Sequence, residues 1–272
     1  MRLPAPAKIN LYLEVLGRRD DGFHALETVF QTLVLSDDLH VELTPGKPAI
    51  SLRCSDPTIP ADATNLAWRA AAAILERRPS AGQIAITLTK HIPHGAGLGG
   101  GSSDAASVLL ALNAQLADPF AENELAAIAL DLGSDVPFFL VGGTAHATGR
   151  GEELTALPAF PATPITVLMP DVRLPTPQVF KALTDDERGP RQARGAAWAG
   201  RQNATALLHN RLTAAASRLC PQVADLLAWL AQRGVPHLMS GSGAACFALA
   251  HIEPPAGVRA WQTMTGPGAG QK

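Results

Sequence analysis

The chain has 272 residues, and its 22 lysines and arginines against 24 acidic residues predict no general attraction to nucleic acid or an anionic membrane. An aromatic content of 5% argues against a base-stacking platform for single strands, while a hydrophobic content of 47% is ample for a core. Three widely spaced cysteines and no apolar run of about 18 residues predict a cytoplasmic protein without disulfides, zinc sites or membrane spans.

The first predicted strand covers residues 7–16, where apolar and polar residues alternate. This alternation places Lys8 and Asn10 on the same face, near the start of the strand. Asp-Gly chemistry at residues 20–22 predicts the turn that follows, immediately before Phe23 and His24.

Alternation and turn residues predict further strands along the chain. They are expected at 28–35, 40–44, 50–53, 83–89, 144–148 and 165–169, with a strand–turn–strand unit at 237–249. A turn at 36–38 is expected to separate the first two of these strands.

Capping residues and apolar spacing predict the helices. They are expected at 65–78 with Thr64 as N-cap, at 105–113, at 121–132, after a cap at Thr176, and at about 204–219 and 221–233. Residues 185–201 are predicted to form a solvated loop, and 266–272 a frayed tail.

A glycine-rich stretch, here called the phosphate loop, joins the strand at 83–89 to the helix at 105–113. Five glycines lie within residues 95–101, so backbone N–H groups can converge on one point. Ser102, Ser103 and Asp104 are residue types that cap helices, which predicts a helix N-terminus beside the loop. Such an arrangement favours an anion, most often a phosphate.

The surroundings of this loop exclude the common nucleotide-binding motifs. Gly95, Gly97 and Gly100 satisfy G-x-G-x-x-G, but several strands precede them and a helix stands where a dinucleotide fold needs its next strand. No Lys-Ser or Lys-Thr pair follows the glycines, which excludes a Walker A loop. Protein-kinase signatures and the G-x-S-x-G elbow of serine hydrolases are also missing from the sequence.

Three separated stretches, 6–10, 93–106 and 239–244, resemble the three motifs of the GHMP kinase superfamily in order and spacing. With Asp-Gly-Phe-His at 21–24 and Ser-Asp-Val-Pro-Phe-Phe at 134–139, they look like the branch whose substrate is a methylerythritol carrying a cytidine diphosphate. The resemblance implies a two-domain α+β fold. Its N-terminal half is expected to be like ribosomal protein S5 domain 2, and its C-terminal half a ferredoxin-like α/β sandwich. A Gly- and Pro-rich stretch suggests the division into 1–155 and 156–272.

The resemblance also implies transfer of the γ-phosphoryl group of ATP to a hydroxyl of that small molecule. Lys8 and Asp135 match the catalytic pair of the family. Asp135 would accept the hydroxyl proton, and Lys8 would keep that carboxylate ionised and stabilise charge at the reaction centre. Either residue alone would be read as a solvated or capping side chain.

The remaining expected site residues also follow from the resemblance. On the nucleotide side they are Pro93, His94, Gly95, Ala96, Gly97, Leu98, Gly99, Gly100, Gly101, Ser102 and Ser103, with Asn65 and Lys90 nearby. On the substrate side they are Asn10, Phe23, His24 and Phe180. Mg²⁺ is expected as a cofactor, with Ser103 as the serine that reaches it, and no carboxylate ligand is identified. Whether Phe23 or Phe180 stacks on the base stays open.

Two other functions fit parts of the sequence. A kinase of the same superfamily could act on another small alcohol, such as homoserine or mevalonate, although a base-reading His24 has no purpose for those substrates. A non-catalytic metabolite sensor could keep the fold, although intact Lys8 and Asp135 weigh against it. Cys246 lies among apolar residues without a histidine partner in the sequence, which predicts an inert buried thiol.

Overall fold

A computed structural model describes residues 1–188, 205 and 208–267, and in it the chain forms two compact units. Unit 1 consists of Met1–Ala7, Ser36–His94 and Gly99–Val141, and unit 2 of Lys8–Leu35, Gly95–Leu98 and Gly142–Lys272. Each unit is therefore discontinuous in sequence. The sequence predicts two contiguous halves, 1–155 and 156–272, and this division stays a prediction.

Strands and helices alternate irregularly along the chain. The strands are β1 Arg2–Arg18, β2 His24–Thr44, β3 Ala49–Cys54, β4 Gln83–Thr89, β5 Thr144–Thr148, β6 Glu153–Ala156, β7 Pro164–Pro170, β8 His209–Asn210, β9 His237–Met239, β10 Cys246–Ala248 and β11 Val258–Met264. The helices are α1 Leu66–Arg77, α2 Gly100–Asn113, α3 Glu122–Leu132, α4 Val136–Val141, α5 Thr176–Lys181, α6 Thr213–Leu219 and α7 Pro221–Gln232. This mixture confirms the α+β class. In the described part of the chain, no helix has the length and apolar character needed to cross a membrane.

In unit 1, β4 lies between β3 and the end of β2. The end of β2 pairs antiparallel with β4, from Asp38 opposite Thr89 to Thr44 opposite Gln83, and β3 pairs parallel with β4 on its other side. Alternate residues of β4 are buried, as the sequence predicts for a strand with one face on a core. Helices α1 to α4 pack against one another in the same unit.

Unit 2 contains two groups of strands. β1 pairs parallel with β8 at Tyr12 and His209, while β2 pairs antiparallel with β5, and β5 with β6. A separate four-stranded antiparallel sheet has the order β11-β7-β10-β9. Residues of β7, β10, α6 and α7 contribute to one apolar core, which includes Leu168, Cys246, Ala216 and Leu226.

The turn expected at 36–38 is wrong, because β2 runs through these residues without a break. Asp37 is fully buried there, and its carboxylate accepts hydrogen bonds from the backbone N–H groups of His91 and Ile92. Partners more than fifty positions away therefore hold the backbone extended, against the turn preference of Ser-Asp-Asp.

Four predicted helix starts also differ, and that of α6 is described with the C-terminal part of the chain. Asn65, not Thr64, caps α1, because its side chain accepts a hydrogen bond of 2.9 Å from the backbone N–H of Ala67. Helix α5 follows Pro175 without a side-chain cap, and the hydroxyl of Thr176 instead forms a hydrogen bond with that of Ser242.

The third difference concerns the helix after the phosphate loop. Helix α2 begins at Gly100 rather than near residue 105, and Gly99 is its N-cap at a φ of 71°. Ser102, Ser103 and Asp104 therefore lie within the first two turns of the helix and do not cap it. Glycine adopts this left-handed conformation without the steric cost that other residues incur.

The C-terminal half of the chain has further differences. Strands β6 and β11 were not expected, and α6 begins at Thr213, after β8, rather than near residue 204. Residues 185–187 form a 3-10 turn. Residues 189–201 of the expected loop and residues 268–272 of the expected tail lie outside the described residues.

Candidate active site

A chain of hydrogen bonds in unit 2 fixes the side chains of Lys8 and Asn10. The ammonium of Lys8 donates to Oδ1 of Asn10 at 2.8 Å, and Nδ2 of Asn10 donates to the hydroxyl of Thr28 at 2.8 Å. The Lys8 ammonium also lies 5.2 Å from the ring centroid of Phe30. Lys8 and Asn10 are both buried, so the structure holds this cation in a defined position.

The first half of the phosphate loop, Gly95–Leu98, meets both other motif stretches within unit 2. The backbone N–H of Lys8 donates to the carbonyl of Leu98 at 2.9 Å. The hydroxyl of Ser240 donates to the carbonyl of Gly97 at 3.1 Å, and the N–H of Ala245 donates to the carbonyl of Ala96 at 3.3 Å. Three sequence-distant motifs thus contact one another here, as the resemblance implies.

Glycine is required at position 97 by this close approach. Gly97 has a φ of +74°, and a Cβ atom there would lie 2.3 Å from the carbonyl oxygen of Ser240. Real side chains do not tolerate such a distance, so any larger residue would push the loop and the Ser240 turn apart.

Asn210 was not singled out from the sequence, yet it organises the third motif. Its Nδ2 group donates to the carbonyls of Met239 and Gly241, both at 2.8 Å, and its Oδ1 accepts from the N–H of Leu212 at 2.9 Å. The residue is buried, and all of these groups are backbone groups. A lone asparagine in a segment expected to be helical carries no signal of this role.

The second half of the phosphate loop and the start of α2 belong to unit 1. Ser103 and Asp104 are buried there, and Oγ of Ser103 and Oδ1 of Asp104 have no hydrogen-bond partner among the described residues. Oxygen atoms of this kind are the ligands that Mg²⁺ prefers. The hydroxyl of Ser103, the serine expected to reach Mg²⁺, therefore fits a magnesium ion, although the described ranges contain no cluster of three histidine, cysteine or acidic side chains around one point.

Asn65 and Lys90 both have protein partners in unit 1. Asn65 caps α1 and donates from Nδ2 to the carbonyl of Pro60 at 2.8 Å. Lys90 forms ion pairs with Asp37 and Asp104. Within the loop, His94 is exposed and Pro93 is half-buried.

Asp135 stands in unit 1 immediately before α4, at the start of an element as the sequence predicts. The preceding turn is closed by a hydrogen bond of 3.1 Å from the N–H of Val136 to the carbonyl of Gly133. Val136 and Phe138 are buried, so the short helix is anchored by its apolar side chains while Asp135 stays half-buried.

His24 and Phe180, two of the expected substrate residues, are stacked in unit 2. Their ring centroids lie 5.0 Å apart with an interplanar angle of 29°. Burial lowers the pKa of His24 below its usual 6.5, and the charges of Arg188 and Arg18 lower it further, so the ring is neutral at pH 7. Phe23 is instead 52% exposed, and the guanidinium of Arg150 lies over its ring, 4.7 Å from the centroid.

Cys246 is fully buried in β10, and burial raises the pKa of its thiol to about 12. The thiol is therefore protonated at pH 7 and cannot act as a nucleophile. This confirms the expected inert, buried cysteine.

Family models match both halves of the chain: GHMP kinases N terminal domain at residues 65–143 and GHMP kinases C terminal at 196–264. A protein of Geobacter sulfurreducens named 4-diphosphocytidyl-2-C-methyl-D-erythritol kinase is 40% identical over 265 residues, which cover 97% of this chain and 94% of that protein.

Solved structures agree with these matches. A 4-(cytidine 5'-diphospho)-2C-methyl-D-erythritol kinase superposes with a TM-score of 0.80 at 40% identity, covering 98% of this chain and 100% of that one. A homoserine kinase from Cytophaga hutchinsonii superposes with a TM-score of 0.72 over 98% of this chain and 95% of that one, but at 20% identity it shows the fold alone. The chain thus belongs to the GHMP kinases and, within them, to the 4-diphosphocytidyl-2-C-methyl-D-erythritol kinase family.

Proposed function

We propose that this kinase transfers the γ-phosphoryl group of ATP to the 2-hydroxyl of 4-diphosphocytidyl-2-C-methyl-D-erythritol, a step in isoprenoid precursor biosynthesis. The observation that carries the proposal is the contact of Lys8 and the Ser240 turn with the phosphate loop, in a chain 40% identical to a relative of that name. A cytoplasmic location stays a prediction.

Lys8 and Asp135 have complementary roles in the proposed reaction. Asp135 accepts the proton of the 2-hydroxyl while the hydroxyl oxygen attacks the γ-phosphorus of ATP. The bond from this phosphorus to the bridging oxygen breaks, and ADP leaves. Lys8 supplies positive charge at the reaction centre. Its ammonium is already oriented by Asn10 in the absence of substrate, so little reorganisation is needed during the reaction.

The phosphate loop holds the nucleotide in this proposal. Backbone N–H groups of the glycine-rich loop would bind the phosphates, and the N-terminus of the 14-residue helix α2 adds the positive end of its dipole. Ser103 would hold Mg²⁺, which when bound neutralises charge on the phosphates. Asn65 and Lys90 stay predictions on the nucleotide side.

His24 and Phe180 recognise the cytosine base. A neutral imidazole offers one donor and one acceptor, which suits a base edge that carries an amino donor beside a ring-nitrogen acceptor. The stacked arrangement with Phe180 restrains the imidazole plane, and an aromatic ring adjoining it offers stacking area to the base. Asn10 and Phe23 stay predictions on the substrate side.

A coupled ADP-release assay with the purified protein tests the proposal. The cytidylyl-methylerythritol substrate, mevalonate and homoserine are compared at equal concentrations with Mg·ATP. We expect turnover with the cytidylyl substrate alone. Turnover with another alcohol but not with this one would reassign the substrate. Binding of the cytidylyl compound without any turnover would indicate a metabolite sensor.

A further inference from the structure

One buried lysine in unit 1 joins the two ends of the phosphate loop. Lys90 follows β4 at the entrance to the loop, and Asp104 is the fifth residue of α2 at its exit. The Lys90 ammonium donates to Oδ2 of Asp104 at 2.7 Å, and its side chain is only 8% exposed. A Cβ atom added to Gly100 would lie 3.5 Å from this ammonium, which therefore packs against the first residue of the helix.

Asp37 on β2 completes the arrangement. Its Oδ2 binds the same Lys90 ammonium, while its Oδ1 accepts the N–H groups of His91 at 2.6 Å and Ile92 at 2.8 Å. One carboxylate thus holds three consecutive residues at the entrance to the loop. Asp37, Lys90 and Asp104 are called the loop clasp below.

The loop clasp is electrostatically unbalanced, because two carboxylates share one ammonium. Burial lowers the pKa of Lys90, but Asp104 and Asp37 outweigh this effect and raise it, so the lysine stays charged. Buried charges of this kind are weak contributors to stability compared with apolar packing, so a role in fixing conformation accounts better for them.

We propose that Lys90 is a positioning residue, which acts on nucleotide binding through the loop clasp and not by contact with the nucleotide. The proposal rests on the proposed function, since the loop must be the nucleotide site. It differs from the direct role that the resemblance implies for Lys90. The structure shows two hydrogen bonds from the Lys90 ammonium, and both go to carboxylates of the protein.

Calorimetric titration with a non-hydrolysable ATP analogue and Mg²⁺ tests this idea on Lys90→Met and Asp37→Asn. In Asp37→Asn the amide oxygen can still accept from the backbone, but its NH₂ group faces the lysine and opens the clasp. We expect each variant to raise Kd for the analogue and KM for ATP about ten-fold. KM for the alcohol substrate should stay within about two-fold, a split that general destabilisation would not produce.

A double-mutant comparison adds a second measurement. Lys90→Met and Asp104→Ala remove partners of the same clasp, so we expect the double variant to bind the analogue no more weakly than the weaker single variant. Asp104→Asn retains an oxygen that can accept from Lys90, and it should restore Kd to within about three-fold of the wild-type value.

Arg77→Met is the matched control in the same unit. It removes an exposed ion pair with Asp131, 3.5 Å long, and should leave Kd for the analogue unchanged. Melting temperatures of all variants identify any that do not fold. If Lys90→Met is one of these, Asp37→Asn and Asp104→Ala still decide the question.

An unchanged Kd for the analogue in folded Asp37→Asn, together with a weakened Kd in Lys90→Met, would overturn the proposal in favour of direct contact. Additive losses of affinity for the analogue in the double variant would also overturn the proposal. Failure of the proposed function looks different. If the wild-type protein binds the analogue and the clasp variants do not, but no cytidylyl substrate is turned over, the clasp stands and the assigned reaction fails.

Discussion

The hydroxyl of Ser240 donates a hydrogen bond of 3.1 Å to the carbonyl oxygen of Gly97, a residue 143 positions earlier in the chain. The turn that contains Ser240 therefore fixes the backbone of the phosphate loop in unit 2. Gly241 contributes to the same contact, because a Cβ atom there would lie 3.1 Å from the Gly97 oxygen. The third motif acts as a support for the loop rather than as a source of reacting groups.

This contact predicts an effect of Gly97→Ala. The added methyl group would meet the Ser240 carbonyl at 2.3 Å, so the loop must move, and we expect Kd for an ATP analogue to rise about 100-fold. Gly95→Ala is the matched control, since Gly95 has a similar φ of +70° with no atom within 4 Å of its Cβ position. In Gly95→Ala the free energy of unfolding should fall only by the backbone strain of about 1–2 kcal/mol. Equal losses in both variants would contradict the steric explanation.

Asp135→Asn should abolish most of the catalysis while leaving the nucleotide bound. Asparagine cannot accept the hydroxyl proton, so we expect kcat to fall at least about 100-fold, with Kd for the ATP analogue unchanged. Steady-state kinetics and calorimetry give the two values. Asp131→Asn, an exposed position four residues earlier on α3, should keep the wild-type rate. A kcat close to wild type in Asp135→Asn would remove this residue from the mechanism.

Lys8→Met should reduce kcat more than it reduces ATP affinity. The variant keeps much of the side-chain volume, but it removes a charge whose position the Lys8–Asn10 hydrogen bond fixes. Kinetic titration of ATP separates the two effects. Lys47→Met, at an exposed position, serves as the control. If only KM for ATP changes, Lys8 binds nucleotide and does not stabilise the transition state.

Asn210→Asp tests the support of the third motif. The amide now donates to two carbonyls at 2.8 Å, and a carboxylate there would leave both without a donor, at a cost of about 2–3 kcal/mol. We expect a lower Tm together with a higher KM for ATP. In Asn113→Asp, which loses a 3.1 Å hydrogen bond to the carbonyl of Phe120 in unit 1, only Tm should fall. An unchanged KM in Asn210→Asp would show that the asparagine is structural only.

The lowered pKa of His24 predicts the acid side of the pH profile. Since the pKa lies below 6.5, His24 is neutral at pH 7 and gains its proton only under more acidic conditions, where it loses its acceptor. For the cytidylyl substrate, kcat/KM should therefore decline only as the pH falls below 6.5. His24→Gln stays neutral throughout, so it should lower kcat/KM at pH 7 and flatten the decline. His40→Gln, on β2 of unit 1, should keep the wild-type profile.

Several features could be predicted from the sequence because their signals are local. The strand before the phosphate loop, the position of Asp135 at the start of an element and the burial of Cys246 all follow from the order of apolar and polar residues nearby. The resemblance in motif order and spacing also points to residues 6–10, 93–106 and 239–244 as parts of one site. In unit 2, residues 95–98 of the second stretch contact Lys8 and Ser240.

Other features depend on partners that are remote in sequence. Ser36, Asp37 and Asp38 are ordinary turn residues, but the buried contacts of Asp37 with residues 90–92 and the pairing of β2 with β4 hold the strand extended. The start of α2 was placed too late because the pattern of cap residues outweighed the glycines, although Gly99 itself ends the loop. Asn210 has no local signal, since all its hydrogen-bond partners at 239, 241 and 212 are backbone groups.

The cysteines give each unit its own chemical reporter. Cys54 at the end of β3 is partly accessible in unit 1, whereas Cys220 and Cys246 are buried in unit 2. Alkylation of a buried, protonated thiol requires that its surroundings open first. Brief pulses of an alkylating reagent during denaturation, followed by peptide mass analysis, would therefore time the opening around Cys246 separately from any change around Cys54. The native chain can be followed in this way without an introduced label.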